Sequence, residues 1–196
     1  GQDKDGRDGN IAVVSDATAQ KVKNGQTTAK QAIEEISTVN TTRSALSLAF
    51  DVLKAAKKNG GAIEVTAVLQ GNGEIINGVP GTAVSENGIV RSELPSSEGK
   101  NNISVHSHPL KEDIVKVDGK DRVAGHSAEK LGPQDPDAFK DYSQNIIVGK
   151  LGEPAGTKYS DGTISITPRS TGAVFYNREA KKQGIITFNA MKRIRK

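Results

Sequence analysis

The sequence predicts an α/β fold in which helices flank a mixed β-sheet. Three observations point there: an apolar repeat at helical spacing over residues 41–58, an apolar run directly after it, and short strands set off by Gly- and Asp-containing turns further on. In the helix, Leu46, Ala49, Phe50 and Leu53 share one face, Thr41 or Thr42 supplies the cap, and Gly60-Gly61 supplies the stop. Residues 62–69 read as a strand whose one charged residue is Glu64. An acid among apolar neighbours is either an edge-strand charge that keeps the protein in solution or a functional group whose burial raises its pKa.

Ile103-Ser104-Val105 opens the next strand and runs into His106-Ser107-His108-Pro109, which holds two of the three histidines of the chain. Alternate side chains of a strand share a face, so the two imidazoles point the same way with Cα atoms about 6.6 Å apart. One metal ion can take both, and Zn²⁺ accepts nitrogen and carboxylate donors in a tetrahedral shell. So short a pattern is more often met as solvated or hydrogen-bonded polar residues, so a third donor decides its meaning. Downstream, Asp135 reads as a helix N-cap and Pro136 as the first helical residue, which puts Asp137 in the first turn. Asp137 is the expected third ligand. Its alternative reading is simple complementarity to the helix dipole.

The remaining elements follow in order. Gly1 to Asn10 reads as a Gly/Asp-rich linker; Asp3, Asp5 and Asp8 fail the calcium-loop spacing because Arg7 interrupts it and no Glu stands at the twelfth position. Residues 16–40, with Val22, Ile33 and Ile36, read as one or two short helices. Between Gly71 and Lys100, Ile75-Ile76 and Ile89-Val90 suggest short strands among loops. Asp118-Gly119 suggests a turn or hairpin, Ile146-Ile147-Val148 a strand, Asp161-Gly162 with Thr163 to Ile166 a turn and strand, and Ala173 to Tyr176 another.

Composition narrows the function classes. With no cysteine the chain has neither a thiolate zinc site nor a cysteine nucleophile. It has no apolar run of transmembrane length and no signal-peptide pattern at its start, so a soluble protein with no membrane partner is expected. From Arg178 onward seven cationic residues face one acid, Glu179, a local charge of +6 that leaves −2 for the rest of the net +4. Lys192, Arg193, Arg195 and Lys196 therefore read as a solubilising basic tail; nucleic-acid binding through it is the weaker reading, because the seven aromatic residues show no base-stacking spacing.

Taken together, these residues resemble the JAB/MPN metallopeptidases that carry the JAMM motif. Glu64 and the strand after it look like that family's Glu strand, His106-Ser107-His108-Pro109 matches its H-S-H-P element, and Pro133-Gln134-Asp135-Pro136-Asp137 looks like its P-S-x-x-D element. The order of helix, Glu strand, H-x-H strand and Asp helix is kept, and the likeness spans about residues 41–178. It implies a JAB/MPN (cytidine deaminase-like) domain over 41–178, preceded by a linker and short helices in 1–40 and followed by the basic tail in 179–196.

Two departures stand out. The family spaces its second His and its Asp by about a dozen residues or fewer, whereas here a polar insertion of residues 111–131 intervenes, readable as a lid or substrate-gripping loop or as a solvated loop with no role. Within it His126 is either solvated or a cap on the metal in a resting state. Gln134 stands in place of the family Ser that helps hold the oxyanion; its amide can keep that role or lose it. A register shift of a residue or two also leaves Asp135 as a reserve ligand.

The resemblance implies zinc-dependent hydrolysis of a peptide or isopeptide bond, often beside the carboxyl end of a ubiquitin-like protein. Zn²⁺ is expected on His106, His108 and Asp137, with Glu64 as the general base and Gln134, or less favourably Ser107, at the oxyanion. The chain looks like the JAB-like toxin domains of bacterial polymorphic or Rhs-type secreted proteins, which implies an effector acting in a target cell and a cognate immunity protein. The alternatives are a housekeeping JAB peptidase, a non-catalytic MPN-like scaffold, and the nucleic-acid binder.

Overall fold

In the computed structural model, residues 10–33, 39–79, 92–96 and 101–194 are described. Ile89-Val90, Ile36, Arg195, Lys196 and the three early aspartates lie outside them.

Six strands form the main sheet in the order β12-β11-β8-β5-β3-β4. They are β3 (Thr66–Leu69), β4 (Ile75–Asn77), β5 (Ile103–Ser107), β8 (Gln144–Lys150), β11 (Thr171–Tyr176) and β12 (Lys182–Thr187). All neighbours are antiparallel except β5 and β8, which run parallel with His106 opposite Ile147. The sheet is therefore mixed, as expected, and the parallel pair sits at its centre.

Strand periodicity sorts the two faces. Val105, Ile146, Val148, Ala173 and Phe175 turn to one side, where α3 (Arg43–Lys58) buries Leu46, Ala49, Phe50 and Leu53 against them. Thr42 Oγ1 caps α3 by accepting from Ala45 N at 3.1 Å, and the chain leaves the helix through Gly60 and Gly61, both at positive φ. The opposite face carries Ile147, Val174 and Tyr176, packed with Phe139 and Ala128 into a second, smaller core. His106 belongs to this second face, its ring 6.0 Å from that of Phe139.

The amino-terminal region departs from the expected linker and helices. α1 (Asp16–Lys23) and α2 (Ala29–Ile33) form, but β1 (Asn10–Val13) before them pairs antiparallel with β2 (Val39–Thr42). The basic tail is likewise part of the fold. β12 closes one edge of the sheet, and α5 (Phe188–Ile194) packs on α3, with Phe188 stacked on Phe50 at 4.8 Å and Met191 buried. Charge misled the sequence reading here because Phe188, Met191 and Ile194 recur at helical spacing between the cations and face the core.

The insertion folds as an antiparallel hairpin, β6 (Asp113–Val117) and β7 (Lys120–Ala124), turning at Asp118 (φ 50°) and Gly119 (φ 73°). Two successive positive φ values are what a tight hairpin turn needs, which explains the Asp-Gly pair. The hairpin leans on β10 (Ile164–Ile166), itself paired with β9 (Gly156–Lys158). Among the described residues no helix is long and apolar enough to cross a membrane.

Candidate metal centre

His106 is the penultimate residue of β5 and His108 lies just beyond the strand, tied to the sheet by its N–H, which donates to Val148 O at 2.9 Å. Their rings lie 5.2 Å apart on the same side, as the H-x-H spacing predicts. Ser107 faces the other way and is fully buried. Its Oγ accepts from Val65 N at 2.8 Å, so it is turned away from the cavity and cannot support an oxyanion there.

The third donor is Asp135. Its Oδ1 lies 3.4 Å from His106 Nε2 and its Oδ2 3.5 Å from His108 Nε2, and one donor atom from each of the three residues lies within 4.8 Å of the others. Asp137, the expected ligand, points to solvent and pairs with Lys140 at 2.7 Å. The reason is helix register. Gln134, not Asp135, is the N-cap of α4 (Asp135–Ala138), so Asp137 sits two residues past the first helical position, about 200° around the axis. Asp135 is instead turned inward by the preceding loop, where Gly132 N donates to its Oδ2 at 2.6 Å.

Glu64 stands two residues ahead of β3, outside the ladder in which the sequence placed it. It lines a cavity of about 510 Å³ together with His106, His108, Gln134 and Asp135. Gln134 lies exposed at the cavity wall, and its side chain makes no capping bond. The cavity lining includes no residue of 111–131. His126 approaches edge-on, its ring 6.3 Å from that of His108, and is not among the clustered donors.

The electrostatics separate the groups. Burial pushes the Glu64 carboxyl up to about 7, with His108 opposing and Asp135 adding to the shift. Burial also works against ionised Asp135, but the two imidazoles outweigh it and hold this carboxyl well below the usual range. His106 is lowered by burial. His108, though buried too, is raised by Asp135, the Ser127 carbonyl and Glu64.

Three features of these donors suit a divalent cation. Both Nε2 atoms face the same carboxylate. His108 Nδ1 lies 2.9 Å from the Ser127 carbonyl, which can only accept, so Nδ1 carries the proton and Nε2 offers a lone pair. Finally, neither ring nitrogen of buried His106 makes a well-formed hydrogen bond, Nε2 meeting only Asp135 Oδ1 at 3.4 Å. Such a group costs free energy unless something else satisfies it. Ser127 escaped the sequence reading, since nothing local marks a carbonyl 19 residues from its histidine as a partner.

No family model, no curated protein and no solved structure matches this chain.

Proposed function

We propose that the chain is a zinc-dependent hydrolase of peptide or isopeptide bonds, of the JAB/MPN kind its motifs resemble. The observation that carries this reading is the convergence of His106, His108 and Asp135 beside Glu64 in one cavity, with no well-formed hydrogen bond at either His106 ring nitrogen. His106, His108 and Asp135 would hold the zinc. Bound there, it supplies Lewis-acid polarisation of a carbonyl and of water.

The chain's own residues supply the rest. Glu64, poised near neutrality by burial, takes a proton from the attacking water at a carboxylate oxygen and passes it to the departing amine, so that water and an amide become a carboxylate and an amine. Gln134, free of a capping role, has its amide donors available to a developing oxyanion. A non-catalytic scaffold is the second reading, favoured by Gln134 standing where the family has Ser. In the first reading the substrate is a protein or peptide, with a ubiquitin-like carboxyl end as one class. The likeness to JAB-like toxin domains of secreted bacterial proteins suggests action in a target cell and an immunity partner.

The test is zinc analysis of the purified protein, joined to cleavage assays on peptide- and isopeptide-linked substrates and to expression of parent and Glu64→Gln chains inside cells. Near one zinc per chain, with cleavage and growth arrest lost in Glu64→Gln, is the expected result. Zinc with no cleavage of any substrate favours the scaffold, and a protein that takes up no zinc overturns both the site and the enzyme.

A further inference from the structure

We propose that Arg169 and Tyr176 are positioning residues for His108: they hold the main chain of residues 126–128 so that the Ser127 carbonyl keeps the proton on Nδ1 and leaves Nε2 free for a cation. The link to metal binding rests on the proposed zinc site; the effect on the imidazole does not.

Three consecutive carbonyls are each held by a different side chain. Arg169 Nη2 donates to His126 O at 2.8 Å, His108 Nδ1 donates to Ser127 O at 2.9 Å, and Tyr176 Oη donates to Ala128 O at 2.9 Å. The peptide plane that bears the Ser127 carbonyl is fixed from its other side, where Ala128 N donates to Lys150 O of β8 at 2.8 Å. With the planes before and after it also held, this carbonyl cannot swing away from His108 without breaking bonds made by two separate elements.

Arg169 is itself built in. Its side chain is 5% exposed, and Nε donates at 2.8 Å to Glu112 Oε1, whose side chain is 7% exposed. Nη1 donates to Gly152 O. Lys150 approaches the second Glu112 oxygen at 3.2 Å. One guanidinium thus joins the start of the insertion, its end and the β8–β9 turn, a three-way fork that lysine cannot reproduce. Gly125 lies against the pair: a Cβ there would come within 3.0 Å of Glu112 Cγ and 3.4 Å of Arg169 Nη2. The insertion is therefore anchored at its base, and that base carries the carbonyl that orients a candidate ligand. Outer partners of this type commonly change metal affinity 10- to 100-fold.

The experiment compares parent, Arg169→Lys and Tyr176→Phe. Arg169→Lys keeps the charge opposite Glu112 while losing the fork, and Tyr176→Phe removes one hydroxyl. Zinc affinity is measured by competition with a chelator, and the His106 and His108 tautomers are read from long-range ¹H–¹⁵N spectra of the metal-free protein at pH 8. Both variants are expected to bind zinc 10- to 100-fold more weakly and to lose Nδ1–H population at His108, while His106, which forms no hydrogen bond to these groups, shifts far less. A general loosening of the fold would move both histidines to a similar extent. Parent-like affinity and an unchanged His108 tautomer overturn the proposal. Should Arg169→Lys not fold, Tyr176→Phe decides alone. If the parent binds no zinc, the zinc reading fails and the His108 tautomer alone decides whether the positioning role stands.

Discussion

Ser107 Oγ accepts the Val65 N–H at 2.8 Å, so the residue between the two histidines fastens the Glu64 segment to the strand that bears them. The reciprocal bond from Ser107 N to Val65 O at 2.9 Å makes this a two-point attachment. It fixes the distance between the proposed base and the proposed ligands. Ser107→Ala leaves the Val65 donor without its partner, at a cost of roughly 1–3 kcal/mol. Zinc content is expected to stay near that of the parent while hydrolysis falls. Equal losses of zinc and hydrolysis in a folded variant would show that Ser107 acts on the histidines instead.

The two aspartates of α4 make a sharp pair. Asp135→Asn is expected to abolish tight zinc uptake, as are His106→Ala and His108→Ala, because each removes one of three donors. Asp137→Asn should change neither zinc content nor hydrolysis, since Asp137 meets only Lys140 at the surface. Metal analysis of the four purified variants checks this, and zinc loss confined to Asp137→Asn would reverse the ligand assignment.

Glu64 gives a pH signature. Its carboxyl is raised from 4.5 to about 7 in the metal-free fold, so the native state holds its proton more tightly than the unfolded chain does. That contribution to stability is fully present below pH 4.5 and is lost as pH rises through 7. Glu64→Gln removes the dependence. In chelator, denaturant melts should find the variant more stable than the parent by about 2–3 kcal/mol at pH 8, with the gap closing toward pH 4. With zinc, the same change should slow hydrolysis by roughly 10²- to 10⁴-fold. A gap that does not vary with pH would remove the buried-carboxyl account.

Truncating the buried side chain of Met191 to Ala should destabilise the fold by about 2–4 kcal/mol. Replacing Lys192 and Arg193 by Gln should leave thermal stability, zinc content and hydrolysis close to the parent's, because neither cation is near the cavity. Were these two changes to abolish activity with zinc intact, the basic surface would be part of substrate or nucleic-acid binding.

Much of this was readable from local chemistry. The α3 repeat with its Thr42 cap, the strand carrying His106, and the Asp118-Gly119 turn each follow from spacing within a dozen residues. The Asp-Pro-Asp run suits two helix registers, which offer Asp135 or Asp137, and only the inward bond from Gly132 selects Asp135. The sequence places Glu64 inside a strand, whereas it precedes β3 and is held there by the Ser107–Val65 bonds, which extend pairing beyond the regular ladder. Ser127, Glu112, Arg169 and Tyr176 left no trace in the sequence, for their partners lie 19 to 57 residues away. The +6 carboxyl-terminal charge hid β12 and α5, whose apolar residues are few but well placed.

The parallel pairing of β5 with β8 also ties the donor set to the closure of a long loop. A hairpin can zip from its turn, but this pair can form only after the intervening chain, hairpin and α4 included, has looped back to set Ile147 beside His106. Asp135 lies within that loop, so the donor set is joined across the same closure that sets the central strands side by side. The cation would then act as a latch on the finished topology, slowing its opening without hastening its assembly.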